Sequence, residues 1–116
     1  MRTRPIGFVD SALLLFARKL ARPICKRFRL SHKNLHLFEH DDPERIKSRG
    51  ICWEDGKIEL DFRSKNSKSF AKIETIIDTV VHELAHLKHM DHDKKFWQFF
   101  DKMHKWTYQN LVNPKE

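Results

Sequence analysis

Between residues 82 and 92 the chain reads HELAHLKHMDH, four histidines and a glutamate in eleven positions. On a helix, His82 and His86 project from one face a turn apart, near enough for their rings to share a metal ion. Glu83 lies about 100° around the helix from His82, so its carboxylate can reach a water beside the ion without binding the ion itself. His92 comes six residues after His86, beyond the expected helix end, where the chain can turn back and offer a third nitrogen. Three imidazoles leave one tetrahedral position open, the arrangement of catalytic rather than structural zinc sites. The chemistry this allows is hydrolysis: a metal lowers the pKa of a water, Glu83 takes its proton, and the proton passes on to a leaving amine.

The competing reading is a solvated helix end that happens to be rich in histidine. In random chains of this composition H-E-x-x-H arises in about one of thirty, and a third His at the fixed spacing brings this to about one in five hundred. That favours the metal. His89 does not fit the spacing of the trio; it is a residue beside the site or, if the helix end distorts, an alternative third ligand. His32, His36, His40 and His104 lack any such spacing and read as surface or turn residues. Zinc suits three imidazoles with one open position best, with iron, manganese and cobalt as alternatives.

These side chains need elements to hold them. Ile73, Ile76, Ile77, Val80, Val81, Leu84 and Leu87 recur at i, i+3, i+4 and predict a helix from about Ser69 to Lys88, its apolar stripe opposite His82 and His86. Before it, RGICWEDGKIELDF sets Asp55-Gly56 between two alternating runs and predicts a β-hairpin with a two-residue turn. The polar stretch RSKNSKS connects hairpin to helix. After a break near Met90 and Asp91, Phe96, Phe99, Phe100 and Met103 restore helical spacing for a last helix. At the start, Val9, Leu13, Phe16, Ala17 and Leu20 predict an amphipathic helix that Pro23 should end. KRFRLSH and NLHLFEH then offer one or two short strands, and DDPER at 41 to 45 a turn or the opening of a short helix. The sum is an α+β domain with an N-terminal helix, a small sheet containing a hairpin, an active-site helix and a C-terminal helix.

At 116 residues there is room for one such domain, taken as residues 1–116. No apolar run approaches the ~20 residues of a membrane span. The opening MRTRPIGFVDSALLLFARKLARP resembles a signal or transit peptide superficially, but Asp10 interrupts its apolar run and the helical spacing favours an amphipathic helix. Cys25 and Cys52 lie far apart and outside any C-x-x-C pair, so neither a disulfide framework nor a zinc knuckle is expected, and an intracellular, cytoplasmic setting follows. Charge is uneven: nine Lys and Arg against Asp10 alone through Phe38, and near balance thereafter. Such a segment suits nucleic acid or an acidic partner; the alternative is a solvated basic face.

The stretch VVHELAHLKHMDHDKKFW resembles the signature of the YgjP-like metallopeptidase domain, a zincin related to the SprT-like and Wss1-like zinc proteases. His82, Glu83, His86, His92, Phe96 and Trp97 match the pattern, and the resemblance extends over about residues 49 to 106. It implies a small zincin-like α+β fold, zinc on the three histidines, Glu83 as general base, and Phe96 and Trp97 packed behind the metal. It also suggests that the strand Lys57 to Phe62 borders the cleft, where an extended peptide could add to the sheet edge. The function expected is zinc-dependent hydrolysis of peptide bonds in extended or unfolded protein, with nucleic-acid-associated proteins as candidate substrates. One alternative is a metal-dependent hydrolase of RNA or nucleotides, since a bacterial RNA-maturation nuclease family spaces three histidines the same way; that family has H-G-x-x-H and lacks the glutamate. The other is a nucleic-acid-binding module with a structural zinc, against which the three-ligand spacing argues.

Overall fold

The computed structural model describes residues 8–31, 35–37, 49–63 and 70–113. The order is helix α1 (Phe8–Phe28), strands β1 (Leu35–Leu37), β2 (Gly50–Cys52) and β3 (Ile58–Leu60), helix α2 (Ile73–Ala85), helix α3 (Lys94–Thr107) and a π-helical turn (Tyr108–Val112). This is the α+β arrangement expected from the sequence. The DDPER segment and most of the RSKNSKS connection lie outside the described residues.

Helix α1 does not stop at Pro23 but continues through it to Phe28. A proline inside a helix costs about 3 kcal/mol. Burial of Leu20, Ala21, Ile24 and Cys25 on both sides of it against the core offsets that. The helix ends where Arg29 takes a left-handed conformation, φ 55°, and the Leu30 N–H donates to the Cys25 carbonyl at 2.9 Å. This is a Schellman closure, made here without glycine. KRF therefore belongs to the helix, and among the described residues only Leu35–Leu37 of the two expected strand stretches is extended.

The sheet order is β1-β3-β2, with β1 parallel and β2 antiparallel to β3. The hairpin forms where expected, with a longer loop. Trp53 N–H donates to the Lys57 carbonyl and Gly56 N–H to the Trp53 carbonyl, leaving Glu54, Asp55 and Gly56 as a three-residue loop. Gly56 has φ 92°, which glycine adopts without a Cβ clash, as the left-handed position of such a loop requires. Strand β3 is central, paired on both sides, so it is not the cleft-bordering edge anticipated for Lys57 to Phe62. Arg18 engages the β1 edge, its Nη2 donating to the Leu35 carbonyl at 2.7 Å. The other edge belongs to β2.

Ile58, Leu60 and Phe62 from the sheet meet Ile76, Val80, Val81 and Leu84 of α2, Ile24 of α1 and Phe96 and Met103 of α3 in one core. A partly buried ion pair fastens the start of α1 to the end of the sheet: Arg63 Nη2 and Nε donate to the two Asp10 carboxylate oxygens at 2.7 and 3.3 Å. Helix α2 begins at Ile73 rather than Ser69, because Phe70 pairs in a β-bridge with Arg63 before the helix starts. It ends at Ala85, with His86 as its cap. Among the described residues no helix is long and apolar enough to cross a membrane.

Candidate metal centre

Helix α2 turns its apolar stripe to the core and leaves His82 and His86 on the opposite side, facing a cleft of about 610 Å³. The chain leaves α2 at His86, turns, and re-enters a helix at Lys94, with the Asp93 side chain capping α3 by accepting from Phe96 N–H at 2.9 Å. That cap fixes the return of the loop carrying His92. The Nε2 atoms of the three histidines then form a triangle with sides of 3.2 Å (His82 to His86), 3.0 Å (His82 to His92) and 2.9 Å (His86 to His92).

This triangle cannot be satisfied by hydrogen bonding alone. Each Nε2 is either a donor or an acceptor, so among three mutually close nitrogens at least two have the same role and face each other unfavourably. A shared cation removes the conflict. Imidazole nitrogens on one tetrahedral zinc at ~2.05 Å lie about 3.3 Å apart, within a few tenths of an ångström of the separations found. The donor set therefore fits the ion. His86 is also set in the ligating tautomer, because its Nδ1 donates to the His89 carbonyl at 3.0 Å and leaves Nε2 with its lone pair free. Burial, then the neighbouring His86 and His92, push the His82 pKa down to about 4, and burial likewise lowers that of His86. Both rings are neutral at pH 7, as metal ligation requires.

Aromatic side chains of α3 fix the ring planes. Phe96, fully buried, stacks on His86 with centroids 4.4 Å apart, and Trp97 stacks on His92 at 5.8 Å. Phe96 packs behind the site as expected. Trp97 is 44% exposed and walls the His92 side instead of joining the core. His89 contributes its backbone carbonyl, while its ring packs edge-on against Phe99. His104 pairs with Asp78 at 2.7 Å, away from the triangle.

Glu83 is buried beside the triangle, in the cleft wall. Burial raises its pKa to about 7, opposed by the Cys52 backbone N–H, which donates to the carboxylate. A carboxylate titrating near neutrality is matched to taking and returning a proton. The neighbouring Cys52 thiol, raised to about 12 by burial and then by Glu83 and Asp55, stays protonated and is neither ligand nor nucleophile.

Two contributors escaped the sequence reading. The Cys52 N–H is a backbone group, for which residue type carries no signal. Gly50 did carry one, since a glycine inside a strand often marks a close approach. A Cβ there would lie 2.9 Å from Glu83 Cγ and 3.2 Å from its Oε2. Gly50→Ala is expected to push the carboxylate aside and lower kcat by about a hundredfold, the scale of an ångström's misplacement. Zinc content measured alongside kcat should be unchanged.

The WLM domain model matches residues 11–113 of the chain. The chain belongs to the WLM domain family. Over 48 residues it is 38% identical to DNA-dependent metalloprotease WSS1 homolog 2 of Schizosaccharomyces pombe, a match covering 41% of this chain and 17% of that protein. The WLM chain thus aligns with only a small part of that relative's length. Its fold is that of Wss1: the crystal structure of a Saccharomyces cerevisiae Wss1 mutant superposes with a TM-score of 0.78 at 22% identity, covering 98% of this chain and 91% of that one. Wss1 from S. pombe gives 0.67 at 25% identity, covering 92% and 86%. The expected kinship with Wss1-like proteins holds.

Proposed function

We propose that residues 1–116 act as one zinc-dependent peptidase domain that cleaves extended or unfolded protein segments, with His82, His86 and His92 as ligands and Glu83 as general base. The convergence of three imidazole nitrogens beside a buried carboxylate of pKa about 7 carries this reading. The metalloprotease named above supports it, and so does the narrower YgjP-like likeness over about residues 49 to 106, whose specific motif spans 80–97. Zinc in this site would supply a water of lowered pKa and polarise the scissile carbonyl. Glu83 accepts the proton of the attacking water and delivers it to the leaving amine, held for both transfers by the Cys52 N–H. Ladder bonds join Arg49 to Asp61 and Trp53 to Lys57, so the alternate residues Gly50 and Cys52 turn their N–H and C=O groups away from β3; the Cys52 N–H is taken by Glu83 and the other groups of this edge face the cleft. That edge, β2, is the one an extended substrate would join.

The test is digestion of a denatured protein. Cleavage should stop when a chelator strips the metal and return with one equivalent of zinc; cleavage indifferent to chelator would refute the proposal. The two buried cysteines, not bonded to each other, suit a reducing, intracellular setting.

Nucleic acid enters the proposal through α1. Arg18, Arg22 and Lys26 stand at successive turns along one exposed stripe, beside a groove of about 360 Å³. The S. pombe relative is a DNA-dependent metalloprotease, and a stripe of this kind would neutralise phosphates in a row. Binding to a single-stranded oligonucleotide should weaken steeply with salt. The double variant Arg22→Ala, Lys26→Ala should flatten the log-log slope by about 1.4 units, at ~0.7 per lost phosphate contact. Fluorescence anisotropy between 50 and 300 mM salt measures it, and an unchanged slope would leave α1 a solvated face.

A further inference from the structure

We infer that the cleft continues, past the metal triangle, into a subsite for a large apolar side chain of the substrate, built by Ile51, Trp53 and Met90. The inference rests on the peptidase reading and names what that site selects.

Ile51, Cys52 and Met90 line both the catalytic cleft and a second cavity of about 780 Å³. The two spaces are therefore neighbours, sharing these three residues as walls. Trp53 and Met90 are 45% and 46% exposed, two of the few large apolar side chains left open among the described residues. Trp53 is nonetheless fixed in place: its indole Nε1 donates to Glu59 at 2.8 Å, and Glu59 is only 7% exposed. An exposed tryptophan tethered by a buried carboxylate presents a preformed apolar wall, with little side-chain entropy left to lose on binding. Met90, unbranched and flexible, forms the facing wall and adapts to what enters.

The edge strand gives the register. Along β2 the side of Gly50 and Cys52 faces Glu83 and the histidines, so Ile51 and Trp53 face the other way. A peptide added at this edge alternates likewise. One of its side chains goes toward the metal and its neighbour toward the indole. Of the three acids lining this cavity, Glu59 is engaged by Trp53 and by Lys57 at 3.9 Å and Asp55 by the Lys57 N–H at 3.0 Å, while Glu54 is exposed on the hairpin loop. What remains open to a ligand is the apolar face, so the selection is for Phe, Leu or Met over Lys, Glu or Ala.

The experiment uses two readouts. Zinc-loaded Glu83→Gln chain is titrated with fluorescein-labelled octapeptides in which Phe, Lys, Glu or Ala is scanned through each position. Wild type is run on the same peptides for cleavage. At one position Phe should bind about tenfold tighter than Ala, and Trp53→Ala or Met90→Ala should each bring that ratio near one while Trp53→Phe restores part of it. Equal affinity for Phe and Ala throughout, a preference for Lys or Glu, or a Phe preference untouched by both alanine variants overturns the subsite. Cleavage without the preference leaves the peptidase reading standing and the subsite refuted. Phe-selective binding with no cleavage by wild type does the reverse.

Discussion

Glu83→Gln is expected to reduce peptide cleavage by about three orders of magnitude or more, the upper range for removing a general base, while zinc content stays at one per chain. Glutamine keeps the shape of the side chain, and its amide oxygen can still accept the Cys52 N–H, so the pocket is not disturbed. What it lacks is the ability to hold a proton in transit. Without metal the same substitution has a stability signature of definite sign. The Glu83 pKa rises from 4.5 to about 7 on folding, so the folded chain binds the proton more tightly than the unfolded one. Stability is therefore lost as pH rises from about 4.5 through 7. The His82 shift runs oppositely, its lowered pKa costing stability as pH falls from 6.5 toward 4, but it is common to both chains and cancels in their difference. Urea denaturation under chelator should find Glu83→Gln about equal to wild type at pH 4.5 and more stable at pH 8. Equal stability at both pH values would mean that Glu83 is not desolvated, and substantial residual turnover would remove it from catalysis.

The parts of this site that a reader of the sequence can see are those set by spacing along one helix or one turn. His82, Glu83 and His86 belong to that class, because 3.6 residues per turn dictates who shares a face. The hairpin does too, although Gly56 serves a three-residue loop rather than the two-residue turn first expected. Pro23 misled for the opposite reason. Its local cost is real, but Ile24 and Cys25 are buried against elements distant in sequence, and tertiary burial outweighs a single lost hydrogen bond. The identity of the cleft edge was hidden in the same way. Nothing in GKIELDF says that β1 pairs with β3 from the far side and leaves β2 open. Trp97 was expected in the core by its proximity to Phe96. One position further round the helix places it beside His92 at the surface.

His92→Ala and His89→Ala separate the two histidines that the sequence offered as third ligand, and they should differ sharply. His92 contributes one corner of the nitrogen triangle, and its loss leaves two imidazoles. Structural zinc sites bind with about 10–16 kcal/mol shared among four ligands, which makes one ligand worth ~3 kcal/mol and its removal about two orders of magnitude in affinity. His92 is exposed, and the neighbouring Asp93 cap does not depend on its ring, so the variant should fold. His89→Ala keeps the backbone carbonyl that orients His86, losing only an edge contact with Phe99, and should bind zinc as wild type does. Thermal unfolding with and without zinc reports this without any substrate, since a ligand that binds only the folded chain stabilises it in proportion to the logarithm of its concentration over Kd. Wild type and His89→Ala should gain equally from zinc, and His92→Ala should require about a hundredfold more to gain as much. The opposite ranking would move the third ligand to His89 and require the chain after His86 to refold around the metal, because in the present geometry the His89 ring packs against Phe99 and stands outside the triangle.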